Sequence, residues 1–388
     1  MRVVLERSNL IKSLAHVQRV VERRNTIPIL SNVLLRTRDG RLTLKATDLD
    51  LEVTEQVPAA VEQEGATTVP AHMLYDIVRK LPEGAEVRLA LGETDNALTL
   101  SAGRSQFRLA VLPEADFPDL TAGEFGHAFR IAPAALKALI DRTQFAISTE
   151  ETRYYLNGIY LHAVDTDGGP MLRAVATDGH RLAQAQVEAP DGTAGMPAVI
   201  VPRKTVAEAQ KLLDGLEEDV GVEVSDAKIR VTATTGTGEV VLTSKLIDGT
   251  FPDYNRVIPA ANDKELRIDR ESFSRAVDRV STIASDRGRA VKMSMDDGQL
   301  RLTVNNPDSG SAEEELPVGY EASALDIGFN SRYLLDITGQ LTAEEATFML
   351  ADPGSPTLIR DAEPARGGDA PEGAARASAL YVLMPMRV

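Results

Sequence analysis

Leu172-Arg173-Ala174-Val175-Ala176-Thr177-Asp178-Gly179-His180-Arg181-Leu182-Ala183 is the stretch on which the fold turns. The same cadence stands earlier as Leu42-Thr43-Leu44-Lys45-Ala46-Thr47-Asp48-Leu49-Asp50-Leu51-Glu52-Val53, with the two Ala-Thr-Asp triplets 130 residues apart. An eroded third copy reads Leu302-Thr303-Val304-Asn305-Asn306-Pro307. Solenoid units run to only about 20 to 50 residues, so this spacing marks a duplicated domain. The pattern predicts one fold used three times in a chain of 388 residues, a length that suits two or three domains.

Outward from these copies the same order of elements returns. In the first unit Ser8 is expected to cap a helix whose apolar face is Leu10, Leu14, Val17 and Val21, with Lys12, His16 and Arg19 on the other side and Arg23-Arg24 beyond. Strands are expected over Ile29–Thr37, Arg41–Ala46 and Leu49–Val57, from their alternation and the Asp39-Gly40 turn. After Val69-Pro70 a second helix places Met73, Leu74, Ile77, Val78 and Leu81 on one side. Val199-Ile200-Val201-Pro202 repeats that entry before a helix with Val206, Ala209, Leu212 and Leu213 inward. Phe117-Pro118-Asp119 and Phe251-Pro252-Asp253, 134 residues apart, close the first two units. The third has Phe273, Val277, Val280 and Ala284 at helical spacing and a last helix over 331–340. The expected class is α+β, with two amphipathic helices packed on antiparallel sheets in each of three domains, 1–122, 128–250 and 251–388. The segment 361–377, rich in Pro, Gly, Ala and charge, reads as a flexible, solvated loop.

Composition removes several function classes. Hydrophobic residues make up 43% and charged residues 26%, as in ordinary globular proteins. No run approaches the roughly 18 apolar residues of a spanning helix, and the start lacks a signal-peptide core, so a cytoplasmic protein with no membrane partner is expected. Zero cysteines removes disulfides, thiolate metal sites and a Cys nucleophile. Histidines 16, 72, 127, 162 and 180 stand in no paired ligand spacing, Gly236-Thr237-Gly238 opens no helix, and no cofactor is expected. The net charge of −16 argues against a nucleic-acid partner only if the cations are evenly spread.

Asp178 and His180 are half of a possible catalytic triad, but the nearest serines, Ser148 and Ser244, lie in no nucleophile elbow, and the first copy has Asp50 in place of His180. One basic charge on the free side of a helix is ordinary solvation. Its recurrence at Lys12, Lys137, Arg142, Arg270, Arg275 and Arg279 is what an inward-facing phosphate surface requires. The chain closes on Tyr381-Val382-Leu383-Met384-Pro385-Met386-Arg387-Val388, an apolar terminus whose methionines suit an adaptable recognition surface.

These residues, together with Thr26-Ile27-Pro28-Ile29-Leu30, Gly65-Ala66-Thr67-Thr68-Val69-Pro70, Arg153-Tyr154-Tyr155-Leu156-Asn157-Gly158, Val201-Pro202-Arg203-Lys204 and Phe251-Pro252-Asp253-Tyr254, carry a resemblance over essentially the full chain. It resembles the bacterial DNA sliding clamp family, the beta subunit of DNA polymerase III. The resemblance implies a non-catalytic processivity factor: a head-to-tail homodimeric ring, three domains per subunit, around duplex DNA without regard to sequence. The partners it implies are the replicative polymerase alpha subunit, the clamp loader delta subunit, translesion polymerases and repair proteins, all docking through a short linear motif.

The family's docking groove maps onto Leu156, Thr177, Gly179, His180, Arg181, Leu182, Pro252, Arg256, Val257 and Met384 for its deep part, and onto Asn330, Tyr333, Pro385, Met386 and Arg387 for its shallow part. Asp352-Pro353-Gly354-Ser355-Pro356 departs from the family, which often has an apolar residue there. DNA contacts map onto Arg24, Tyr154, Tyr155, Arg203 and Lys204, and the subunit contact onto Phe107 and Leu109 against Thr282 and Ile283.

Overall fold

Six α-helices form where the apolar spacing calls for them: α1 Arg7–Val17, α2 Ala71–Lys80, α3 Pro133–Asp141, α4 Arg203–Leu213, α5 Arg270–Ser281 and α6 Ser331–Thr338. They belong to a computed structural model that describes residues 1–92, 96–120, 123–284, 289–362 and 377–388. Most of the loop expected over 361–377 lies outside the described residues.

Phe273, Val277 and Val280 of α5 are buried as the spacing predicts, whereas in α2 Leu74 and Val78 are buried but Met73, expected on the same side, is 53% exposed and Ile77 half-buried. Asp269 caps α5 by accepting the Ser272 backbone N–H at 2.7 Å, and hydrogen bonding from the Ser272 side chain, then from that N–H, holds its carboxyl below the usual range. Ser8 does not cap α1. The strand Arg2–Glu6 runs straight into the helix, the Arg7 N–H is taken up by the Ala85 carbonyl, and Ser8 donates to Glu6 Oε1 from inside the first turn. Val21 lies beyond the end of α1 yet stays buried, and Ala284 lies beyond α5.

The chain divides into two compact units, Met1–Lys137 with Pro190–Leu246 and Ala138–Ala189 with Ile247–Val388. The first holds a five-stranded sheet in the order Ala60–Gln63, Arg2–Glu6, Glu86–Leu91, Ala97–Ala102, Ser105–Ala110. It also holds an eight-stranded sheet in the order His127–Ile131, Val220–Val224, Lys228–Thr234, Glu239–Lys245, Leu51–Pro58, Arg41–Thr47, Asn32–Arg38, Gly65–Pro70. In Arg41–Thr47 the alternate residues Leu42, Leu44 and Ala46 are fully buried, as a one-sided sheet demands. Truncating such a leucine to alanine costs about 2–5 kcal/mol.

In the second unit Gly158–Thr166, Gly169–Thr177, Arg181–Glu188, Ser378–Leu383, Thr357–Asp361, Glu345–Leu350, Lys264–Asp269 and Gly319–Tyr320 are successive neighbours. Gly310–Pro317, Gln299–Asn306, Ala290–Asp296 and Leu325–Asn330 make a separate four-stranded sheet. Helix α1 packs on α2 within the first unit, and α5 on α6 within the second.

Backbone ladders run across the repeats. Leu242 of the second pairs with Val53 of the first, and Leu182 of the second with Val382 of the third. The eight-stranded sheet and the long sheet of the second unit are therefore each shared by two copies of the fold, whereas the five- and four-stranded sheets each belong to one.

The quoted triplets are turns of one geometry. Asp48 Oδ1 accepts the N–H groups of Asp50 and Leu51, and Thr47 Oγ1 accepts that of Leu49. Asp178 Oδ1 accepts those of His180 and Arg181, and Thr177 Oγ1 that of Gly179. In the eroded copy Asn306 Oδ1 accepts from Asp308, two residues on as before. The turn forces a positive φ at its apex, +90° at Gly179 and +82° at Leu49. This is why the strand expected from Leu49 begins at Leu51 instead.

Candidate partner-binding groove and DNA face

The Thr177–Arg181 turn presents His180 outward and turns Arg181 back into the second unit, where its side chain is only 10% exposed. Nε pairs with Asp178 Oδ2 at 3.0 Å, Nη1 with Asp336 Oδ2 at 2.5 Å, and Nη2 donates to the Phe145 carbonyl at 2.6 Å. The guanidinium plane lies 4.3 Å from the centre of the Tyr333 ring. Tyr333 and Asp336 sit three residues apart on α6, hence on one face, so a single arginine meets both. His180 stacks on the other part of Tyr333, centroids 6.3 Å apart at 24°. Burial and the nearby Asp178 carboxylate raise the Tyr333 hydroxyl pKa.

The chain end completes this surface. Met384 N–H donates to the His180 carbonyl at 2.9 Å, and Met386 N–H to the Gly328 carbonyl at 2.8 Å. A Cβ on Gly328 would lie 2.3 Å from Val388 Cγ1, so glycine lets the tail lie flush against that strand. Met384 and Val388 remain exposed, whereas Leu156 and Leu182 are buried beneath. Pro252, Arg256 and Val257 are exposed on the segment after Phe251, with Arg256 paired to Asp253 at 3.0 Å. Asn330 caps α6 by accepting the Arg332 N–H, and Pro385 and Arg387 flank Met386. Asp352 folds the departing segment into a closed turn by accepting from Gly354 N–H and Ser355 Oγ, which keeps its carboxyl pKa low.

A triad is not assembled here. Asp178 is occupied by two backbone N–H groups and by Arg181, and not by the His180 ring. Ser148 and Ser244 are both buried. Among the described residues no cluster of three or more His, Asp or Glu is arranged to hold a metal ion.

Of the residues mapped to DNA, Arg24 and Arg203 are exposed in the first unit and make no ion pair among the described residues. Lys204 is different. It pairs with Asp48, lies 3.5 Å from Glu22 and donates to the Val20 carbonyl, so its charge is spent on the first repeat's turn. In the second unit Tyr154 is 54% exposed and meets Tyr155 edge-on at 5.8 Å. The recurrent basic helix faces are partly neutralised: Arg275 pairs with Glu271 and Arg279 with Glu314, while His16 Nδ1 hydrogen-bonds buried Glu55 at 2.7 Å.

Phe107 is 36% exposed on the edge strand Ser105–Ala110 and lines a groove of about 560 Å³ with Met73, Ile77, Lys80 and Leu81. Leu109, two residues on, faces the core of its own sheet and is buried. Thr282 is exposed and Ile283 half-buried, its carbonyl taken by Asn306 Nδ2 at 2.8 Å.

Comparison with known proteins decides what these surfaces belong to. Models of the N-terminal, central and C-terminal domains of the DNA polymerase III beta subunit match residues 1–121, 130–253 and 255–366. The chain belongs to the bacterial sliding-clamp family. The beta sliding clamp of Caulobacter vibrioides is 50% identical over 388 residues, and that of Escherichia coli 41% over 391, with 100% of both chains covered in each case. The sliding clamp of Bartonella birtlesii, solved bound to griselimycin, superposes with a TM-score of 0.92 at 56% identity and full coverage of both chains. The protein is thus a DNA sliding clamp of DNA polymerase III.

Several residues that build the candidate groove carry no local mark in the sequence. Asp336 and Phe145 reach Arg181 only through the fold, although Asp336 stands one helical turn after Tyr333. Glu150 holds Arg153 in a charge-assisted pair that lowers the carboxyl and raises the guanidinium pKa. A Cβ on Gly179 would come within 2.5 Å of Arg153 Nη1, so the turn and the tyrosine-bearing segment are in close approach.

Proposed function

We propose that the clamp acts as a head-to-tail homodimeric ring around duplex DNA, without catalysis, and presents the Arg181–Tyr333–Met384 surface to short apolar motifs of the polymerase alpha subunit, the clamp loader and repair enzymes. The carrying observation is a pair of open sheet edges. Ser105–Ala110 ends the five-stranded sheet, with five of its six residues exposed, and Gly310–Pro317 ends the four-stranded sheet. An exposed edge is a template for another strand, and a heterologous contact that closes makes a ring. Phe107 with its groove and Glu313 to Glu315 give the two edges apolar and acidic character suited to joining unlike surfaces.

A ring holds its partner by topology and raises the polymerase's effective concentration at the primer end. Contact with DNA then needs only weak, salt-sensitive phosphate attraction, to which Arg24, Arg203 and the exposed Tyr154 are suited. An overall acidic charge is compatible with this and disfavours DNA elsewhere on the surface. Such a factor works in the cytoplasm, and no helix among the described residues is long and apolar enough to cross a membrane. The griselimycin of the Bartonella birtlesii clamp is a probe expected to bind this chain as well.

The test is loading by the clamp loader onto nicked circular DNA. Retention on the circle, release after linearisation and a solution mass of two chains are expected. Retention on linear DNA with free ends, or a monomer at working concentration, would overturn the ring.

A further inference from the structure

We infer that Arg173, Tyr254 and His162 form a positioning relay that fixes the segment Phe251–Val257 on the second unit's sheet and so sets how the deep part of the groove receives an apolar peptide. The inference rests on the groove reading above. His162, Arg173 and Gln186 stand directly opposite one another on three adjacent strands. Arg173 grips Gln186 Oε1 through Nε and Nη2 at 2.9 and 2.8 Å, which aims its remaining Nη1 at the Tyr254 hydroxyl, 3.0 Å away. That hydroxyl is also 3.0 Å from His162 Nε2. Because arginine only donates, the tyrosine oxygen accepts from Nη1 and makes its second hydrogen bond with Nε2, in the direction that the imidazole tautomer sets. The ring sits there as a neutral imidazole, because burial, aided by the Arg173 charge, holds the His162 pKa down to about 4.

A ring stack secures the other side of the segment. Phe251 lies on Tyr160 at 4.7 Å with planes 1° apart, and Tyr160 in turn stacks on His162, two residues along the same strand face. Phe251 and Tyr254 are thereby buried, while Pro252, Arg256 and Val257 between and after them stay exposed. The relay touches no exposed apolar residue itself. It fixes the backbone that carries them.

The experiment uses the full chain and a fluorescein-labelled peptide bearing the replicative polymerase's apolar motif, read by anisotropy, with thermal unfolding in parallel. Tyr254→Phe keeps the ring and deletes the shared hydroxyl, and is expected to weaken binding about fivefold, the worth of one net hydrogen bond. His162→Leu is expected to match it, and the double variant to be no weaker than either single one. His162→Gln, whose amide can either accept from or donate to the tyrosine hydroxyl, is expected to restore binding to within about twofold. Equal affinity in Tyr254→Phe and the parent, or a His162→Gln as weak as His162→Leu, would overturn the relay. Met384→Ala separates the two readings: if it binds the peptide as the parent does, the groove assignment fails; if it weakens binding while Tyr254→Phe does not, only the relay fails.

Discussion

The Arg181 guanidinium lies 4.3 Å from the centre of the Tyr333 ring while its Nη1 pairs with Asp336 one helical turn away. Strand and helix from different repeats are thus joined by one planar cation. Lysine cannot reproduce the fork or the stacking. Arg181→Lys is expected to lose peptide binding, and Arg181→Ala to cost about 3 kcal/mol in urea unfolding because Asp178 and Asp336 are left uncompensated. Unchanged midpoints in both variants would remove Arg181 from this role.

His162 makes the second unit sensitive to acid. Its folded pKa of about 4 lies below the ordinary 6.5, so between these values the unfolded chain binds more protons. This contribution to stability is present above about pH 6.5 and is lost as pH falls toward 4. Arg173, Tyr254 and Tyr160 are the groups that face the ring. The expected result is a histidine NMR titration midpoint near 4, and a shallower decline of the unfolding midpoint in His162→Gln between pH 6.5 and 5.

The two equivalent turns give opposite expectations. Leu49 holds φ at +82° although it is 39% exposed and has little burial to lose. Leu49→Gly is expected to stabilise the first unit by about 1 kcal/mol, the low end of the strain stored by such a residue. Gly179→Leu should destabilise the second unit and crowd Arg153. Calorimetry on both variants checks the pair.

Salt dependence separates free from engaged cations. Arg24→Ala and Arg203→Ala are each expected to reduce the slope of log affinity against log salt for duplex DNA by about 0.9, the effect of one phosphate contact. Lys204→Gln is expected to change that slope less, since Asp48 and Glu22 already hold the ammonium.

If the proposed dimer uses the Phe107 edge, Phe107→Glu is expected to sediment as a monomer without a lower unfolding midpoint, because the side chain is exposed on an edge strand. Leu109→Ala should instead destabilise the fold, its side chain being buried in its own sheet.

The repeat was legible because Ala46-Thr47-Asp48 and Ala176-Thr177-Asp178 keep the residues that make the turn, and the helices were legible from spacings such as Phe273, Val277 and Val280. What joins one repeat to the next was not. Val53 meets Leu242, and Leu182 meets Val382, through backbone groups that every residue possesses, so no side-chain pattern announces the pairing. The partners of several cations were hidden for a related reason. Glu314 lies 35 residues from Arg279, and Asp48 156 residues from Lys204, distances at which a charge's neighbour is set by the fold alone. Ser8 was misread because a cap is needed only where the first N–H groups lack a partner, and Ala85 supplies one.

Sharing a ladder between successive repeats has a mechanical side. Prying Leu242 from Val53, or Leu182 from Val382, would break a whole row of cooperative bonds inside a sheet, whereas parting the two copies of the proposed ring is expected to break only a joint between edge strands. If the proposed ring opens to admit DNA, the expected gate is the joint between copies and not a seam between repeats, where a continuous ladder would have to unzip.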